Sequence, residues 1–97
     1  QSAVPQSYYI SQNYPNPFNH TTSIKVDLPK DETVRLKVYN INGKEVTTLM
    51  SGNYKAGKYE VTWNGHDGFG LLVATGVYIY RLEAGDFVQS KKMVLMK

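Results

Sequence analysis

Apolar residues recur at every second position through most of this chain, in runs cut by glycine-bearing turns. That rhythm confines the chain to antiparallel sheet. Ile24, Val26 and Leu28 alternate with Lys25 and Asp27; Val34, Leu36 and Val38 with Arg35, Lys37 and Tyr39; Tyr59, Val61 and Trp63 with Glu60 and Thr62. One face of each run is dry and the other wet, as in a sheet with one solvated side. Arg81 shares a face with Val77 and Ile79, which turns Tyr78, Tyr80 and Leu82 inward. No window carries a helical stripe. Asn42-Gly43 predicts a type I′ hairpin, a turn that needs positive φ at both central residues. Lys55-Ala56-Gly57 marks a second turn, Asn64 to Gly70 a longer loop, and Gly85-Asp86 a last tight hairpin. The strands predicted between them are 23–28, 33–40, 44–50, 57–63, 77–84 and 87–96, with a weak one near Tyr8 to Ser11. A phase change near Ser90 predicts a bulge there. Short strands at this spacing form a β-sandwich or a small barrel.

Ahead of the first strong strand stands Asn13-Tyr14-Pro15-Asn16-Pro17-Phe18-Asn19. Proline fixes φ and disfavours helix in the residue before it. Asn16 and Asn19 can hydrogen-bond their own local backbone. A stiff, irregular lead-in follows. The 97 residues make one domain, with a linker or weak first strand over 1–11 and the sandwich over 12–97. There is no cysteine, so the fold stands without disulfides. A formal charge of +3 is spread along the chain, and only Lys91 and Lys92 are adjacent. A nucleic-acid binder carries a denser cluster. No apolar stretch reaches the length of a membrane span, and no signal peptide opens the sequence. A start at Gln1 reads as a fragment of a longer protein or a processed form.

Catalysis needs a nucleophile or an acid–base pair on a rigid frame. The two histidines, His20 and His66, read as surface residues, His66 in a mobile glycine-rich loop. The sequence therefore predicts no enzyme. No spacing of His, Cys, Asp or Glu matches a metal site, and no cofactor is expected. Gly65, Gly68 and Gly70 are not followed by the helix a phosphate loop requires; they serve a crossing between strands. Trp63, Tyr59, Tyr78 and Tyr80 belong to the core, while Tyr8, Tyr9, Tyr14, Tyr39 and Tyr54 are left for the surface. A sugar-stacking platform would require the fold to gather them. Tyr78, two residues after Gly76, sits where a tyrosine corner turns its hydroxyl back to a loop.

Five blocks carry a family resemblance: Asn13 to Asn19 followed by Thr21-Thr22-Ser23-Ile24, then 34–46, then 56–65, then 74–87, then 91–97. In order and spacing they resemble a type A C-terminal sorting domain of the type IX secretion system, over about residues 9 to 97. Trp63 to Gly70 also resembles the immunoglobulin-like domain of the flagellar hook-assembly scaffold. The resemblance implies an all-β, immunoglobulin-like antiparallel β-sandwich of about seven strands that acts as an address. Its implied partners are an outer-membrane translocon, a sortase-like peptidase and an upstream cargo domain. Its implied location is the periplasm in transit, then the cell surface or beyond. The recognition residues implied are Pro15, Asn16, Pro17, Phe18, Gly57, Tyr59, Gly76, Tyr78, Gly85, Lys91, Lys92 and Lys97, with a cut near Gln1 to Ser11. His20 stands where the family often has proline, and Leu71-Leu72 where polar residues are common. One of these two leucines is expected at the surface, because neighbours on an extended segment point opposite ways. The last strand, if at an edge, offers backbone groups to a partner strand, and its lysines equally protect such an edge. Two other functions fit the same sequence: a carbohydrate-binding or adhesive module on a secreted enzyme, and a hook-cap scaffold domain.

Overall fold

The computed structural model describes residues 4–96. Its strands are β1 (Tyr9–Ile10), β2 (Thr22–Leu28), β3 (Glu32–Asn40), β4 (Glu45–Tyr54), β5 (Gly57–Trp63), β6 (Gly76–Ala84) and β7 (Phe87–Leu95). They form a three-stranded sheet, β1-β2-β5, and a four-stranded sheet, β4-β3-β6-β7, with every pair antiparallel. The alternation read from the sequence is the burial pattern: Ile24, Val26 and Leu28 meet Val34, Leu36, Val38, Tyr80 and Leu82 in the core between the sheets. Each such side chain contributes roughly 1.5–3 kcal/mol by leaving water. Trp63 closes one end of this core, with Phe18 at 5.7 Å and Tyr78 edge-on at 5.3 Å between ring centroids.

Three expectations about the strands need correction. The β3–β4 hairpin is not type I′: Gly43 alone has positive φ (+82°). The Gly43 amide donates to Asn40 O at 2.9 Å, and Asn40 and Lys44 close the loop. That is a three-residue connection with glycine in the left-handed position. Asn40 Oδ1 accepts the amides of Asn42 and Lys44 and so fixes the longer loop. Secondly, β4 continues to Tyr54, because Thr33 pairs Asn53 across the sheet even though Ser51-Gly52-Asn53 has turn composition. The turn expected at Lys55-Ala56-Gly57 is present and carries the chain from one sheet to the other, held by Asp31 Oδ1, which accepts the Ala56 amide at 2.8 Å. Lastly, β7 has no bulge at Ser90; its register with β6 is unbroken from Gly76↔Leu95 to Ala84↔Phe87. Gln89 and Lys91 keep the inward parity of Met93 and Leu95, but the narrower facing sheet leaves their stretch of the edge uncovered. The register shifts lie instead in β3–β4, at Leu36/Lys37 and Val38/Tyr39.

Residues 11–18 form a strap between the sheets. On one side Ser11 N donates to Lys25 O, and Tyr14 and Ser23 exchange backbone bonds, all at 2.9 Å. On the other, Gln12 Nε2 donates to Lys92 O at 2.7 Å, Phe18 N to Val94 O at 2.9 Å, and Met96 N to Phe18 O at 2.7 Å. Asn16 Oδ1 accepts the Val94 amide at 3.0 Å. The strap thus bonds to β2 and β7 together and shuts the open side of the sandwich. Tyr80 pins its middle from below, donating to Ser11 O at 2.7 Å and accepting from Asn13 N at 2.9 Å. Asn13 is itself buried, and its amide nitrogen donates to Pro15 O and Thr22 Oγ1. The Tyr14-Pro15 and Asn16-Pro17 bonds are cis.

Candidate functional site

The sequence-predicted recognition residues do not form one patch. Pro15, Asn16 and Pro17 lie exposed on the strap, while Phe18 is buried against Trp63. Gly57 with Tyr59 and Gly76 with Tyr78 repeat a single device at opposite ends of the sandwich. Each glycine opens its strand at a φ (+152° and +142°) that favours glycine. Each tyrosine, two residues on, donates its hydroxyl to a carbonyl four residues back: Tyr59 to Lys55 O and Tyr78 to Ala74 O, both at 2.6 Å. Burial pushes the Tyr78 hydroxyl pKa up. These residues fasten loops to strands, as the tyrosine corner predicted for Tyr78.

Gly85 turns the β6–β7 hairpin at φ +60°. A Cβ there would lie 2.6 Å from Glu32 Oε1. Glu32 accepts the Tyr8 hydroxyl, and that bond, more than the desolvation, pushes the Tyr8 pKa up to about 12. The Tyr8 ring stacks on Phe87 with centroids 5.0 Å apart, so Tyr8 is a packed residue and not a surface one. Lys92 is exposed and Lys91 half-buried; Lys97, with the first three residues of the expected linker, lies outside the described residues. The free edge foreseen for the last strand is half taken: around Lys92 and Val94 its outward groups already bond to the strap.

One cluster, of which the sequence marked only Leu71-Leu72, gathers at the end of the sandwich that holds Gly76. The loop from Asn64 to Thr75, expected to be mobile, is held by a dense set of hydrogen bonds. Asp67 Oδ1 accepts the amides of Phe69 and Leu71, both at 2.9 Å. The Asp67 amide donates to Leu71 O at 2.8 Å, Gly68 N to Val46 O at 3.0 Å, and Val73 N to Gly65 O at 2.9 Å. Trp63 Nε1 donates to His66 O at 2.9 Å. This frame turns Phe69 (93% exposed), Leu71 (65%) and Leu72 (59%) toward solvent. Both leucines are therefore at the surface, because the loop is bent and not extended where they stand. Ile41, on the β3–β4 hairpin at the same end, is exposed as well. Beside Leu72 runs a groove of about 540 Å³, lined in part by His20, His66, Val73, Leu95 and Met96. Its surface is mainly apolar although polar residues share the lining, and His66 Nδ1 is engaged 3.0 Å from Asn64 O. Among the described residues no three His, Cys, Asp or Glu side chains converge as metal ligands. The arrangement can seat an apolar side chain or segment. A signal for it stood in the sequence: Phe69-Gly70-Leu71-Leu72 is an apolar run inside a stretch of turn chemistry.

The family described as the FlgD Ig-like domain matches residues 11–86. No curated protein matches the chain. Solved structures that share its fold include the following three. Dimeric latent PorU from Porphyromonas gingivalis is 18% identical, with a TM-score of 0.71 over 88% of this chain and 9% of that one. PorZ of the same organism, a surface component of the type-IX secretion system, is 18% identical, with a TM-score of 0.61 over 95% of this chain and 12% of its own. FLGD from P. aeruginosa is 20% identical, with a TM-score of 0.59 over 81% of this chain and 67% of its own. The chain thus spans about a tenth of the PorU and PorZ chains that it matches.

Proposed function

Because the chain belongs to the FlgD Ig-like domain family, we propose that it is a folded address: a sorting module that directs an attached exported protein through the type IX outer-membrane translocon to the cell surface. It acts by surface recognition and without catalysis. The five ordered sequence blocks and the likeness of fold to PorU and PorZ support this reading. The observation that carries it is the rigid loop that holds Phe69, Leu71 and Leu72 out of the core. Exposed large apolar residues in one place mark an interaction surface, and a loop already ordered by Asp67 binds without the cost of ordering. On this reading the strap residues Pro15, Asn16 and Pro17 and the lysines of β7 are further recognition residues, Gly76 and Tyr78 fasten the loop that carries the contact, and Gly57, Tyr59 and Gly85 brace the opposite end of the sandwich. A sortase-like peptidase then cuts in the segment before β1.

The test is export of a reporter fused to residues 1–97 in a host that has the secretion system. The wild-type fusion reaches the surface. A Phe69→Ser/Leu72→Ser fusion, folded as judged by its unfolding midpoint, stays in the periplasm. Retention of the wild-type fusion in a host that exports an authentic sorting domain would refute the reading. The family match favours one second reading, a hook-cap scaffold. It predicts that the chain assembles with flagellar hook proteins and that the reporter is not exported.

A further inference from the structure

The outer face of the three-stranded sheet carries a feature that sorting leaves unused. Tyr9 stands opposite Asp27 on β2, and Tyr14 opposite Ser23. Residues directly opposite in a ladder send their side chains to the same face, so both tyrosines share the wet face of β2 with Lys25 between them. The two partners stand four positions apart on β2, which sets the two tyrosine backbones about 13 Å apart along the strand. Tyr14 is 80% exposed and Tyr9 50%. Of the five tyrosines assigned to the surface, the fold gathers these two. Tyr8 stacks on Phe87, Tyr54 packs edge-on against Tyr59, and Tyr39 belongs to the other sheet.

Two shallow hollows of about 400 and 370 Å³ lie along this line and share Tyr9, Lys25 and Glu60. Their floor is rich in unspent hydrogen-bonding groups. Lys25 and Glu60 are cross-strand partners, yet neither is in an ion pair among the described residues. Ser11 Oγ accepts the Lys25 amide at 2.8 Å and keeps its own proton to donate. Gln12 spends its amide nitrogen on Asn13 Oδ1 and Lys92 O and keeps its carbonyl as an acceptor. Charge on the face is balanced, with Lys25 and Lys58 against Asp27 and Glu60, and Lys58 lies 3.3 Å from Asp27.

We propose that this trough binds a neutral oligosaccharide laid from Tyr9 to Tyr14. A pyranose presents a C–H face that stacks on an aromatic ring and a rim of hydroxyls that both donate and accept. The two exposed rings supply the first contact. The mixed donors and acceptors of Ser11, Gln12, Lys25 and Glu60 supply the second. The balanced charge disfavours a polyanion, and the spacing of the two tyrosines along the strand exceeds the reach of one sugar. This activity is independent of the apolar loop at the end of the sandwich.

The experiment is an NMR titration of the labelled chain with cello-, xylo-, laminari-, chito- and malto-hexaose, and with an acidic oligogalacturonate. One or more neutral hexaoses should shift the amides of Tyr9, Ser11, Tyr14 and Lys25 and leave those of Phe69 to Leu72 still. Tyr14→Ala and Tyr9→Ala should each weaken that binding about tenfold, equivalent to roughly 1.4 kcal/mol. Tyr14→Phe, which keeps the ring, should bind as wild type. Silence at these amides with every neutral hexaose, tighter binding of the acidic chain, or unchanged affinity in Tyr14→Ala would each overturn the proposal.

Discussion

Replacing Tyr80 by Phe removes one oxygen atom from the middle of the strap and leaves the buried ring in place. That oxygen donates to Ser11 O at 2.7 Å and accepts from Asn13 N at 2.9 Å. Asn13 is 2% exposed, so its amide is left without any partner, whereas the Ser11 carbonyl is half-buried and recovers water. An unsatisfied buried donor costs about 1–3 kcal/mol and a lost bond about 1 kcal/mol, so the expected loss is about 2–4 kcal/mol. Against a total stability of about 5–15 kcal/mol this is a large fraction. It should lower the melting temperature on the order of 10–20 °C. Urea unfolding followed by Trp63 fluorescence reads it directly, since Trp63 is buried and is the sole tryptophan. Tyr78→Phe is the control: its hydroxyl makes one bond, to the Ala74 carbonyl of an exposed residue, and its loss should cost about 1 kcal/mol or less. Hydrogen exchange supplies a second reading, because a loosened strap exposes the amides of Asn13, Val94 and Met96 together. If Tyr80→Phe costs no more than Tyr78→Phe, the strap does not hold the sheets shut and the reasoning fails.

Gly57→Ala and Gly76→Ala should each destabilise the domain by about 1–3 kcal/mol. Nothing lies within 4 Å of a Cβ at either site, so the cost is the backbone angle alone and D-alanine should restore stability. Gly85→Ala instead drives the Glu32 carboxylate away from Tyr8; absorbance titration should then show the Tyr8 hydroxyl returning from about 12 toward the usual tyrosine value. Alkali should weaken the fold for a related reason. Tyr80, mainly through desolvation, and Tyr8 both ionise near 12 when folded, against about 10 when unfolded. The stability they confer is complete below pH 10 and drains as pH climbs toward 12. Urea midpoints across that range should fall, and less steeply in Tyr80→Phe.

What the sequence revealed was whatever neighbours decide. The inward set Ile24, Val26 and Leu28, or Tyr78, Tyr80 and Leu82, follows from the period of a strand, and every strand was found within a few residues of its bounds. The tyrosine at position 78 was equally legible, since its hydroxyl partner lies four residues back. Asn13 was not. Its burial depends on Tyr80, 67 residues away, and an asparagine between glutamine and tyrosine has no local sign of it. The phase change near Ser90 was misleading because polarity there reports the missing cover of the opposite sheet and not a kink of the strand. The candidate surface hid for the converse reason: the glycines around Phe69 suggest looseness, while the bonds that fix the loop come from one aspartate and from the Val46 carbonyl of another strand.

The strap also decides when the domain becomes whole. Its holds on Lys92, Val94 and Met96 join the opening of the fold to the strand that is made last. A polypeptide truncated ahead of Val94 loses the bonds that Asn16 Oδ1 and the Phe18 backbone make to that strand, and the strap is held less firmly on one side. Translation errors that shorten the product therefore leave the sandwich unfastened at the strap.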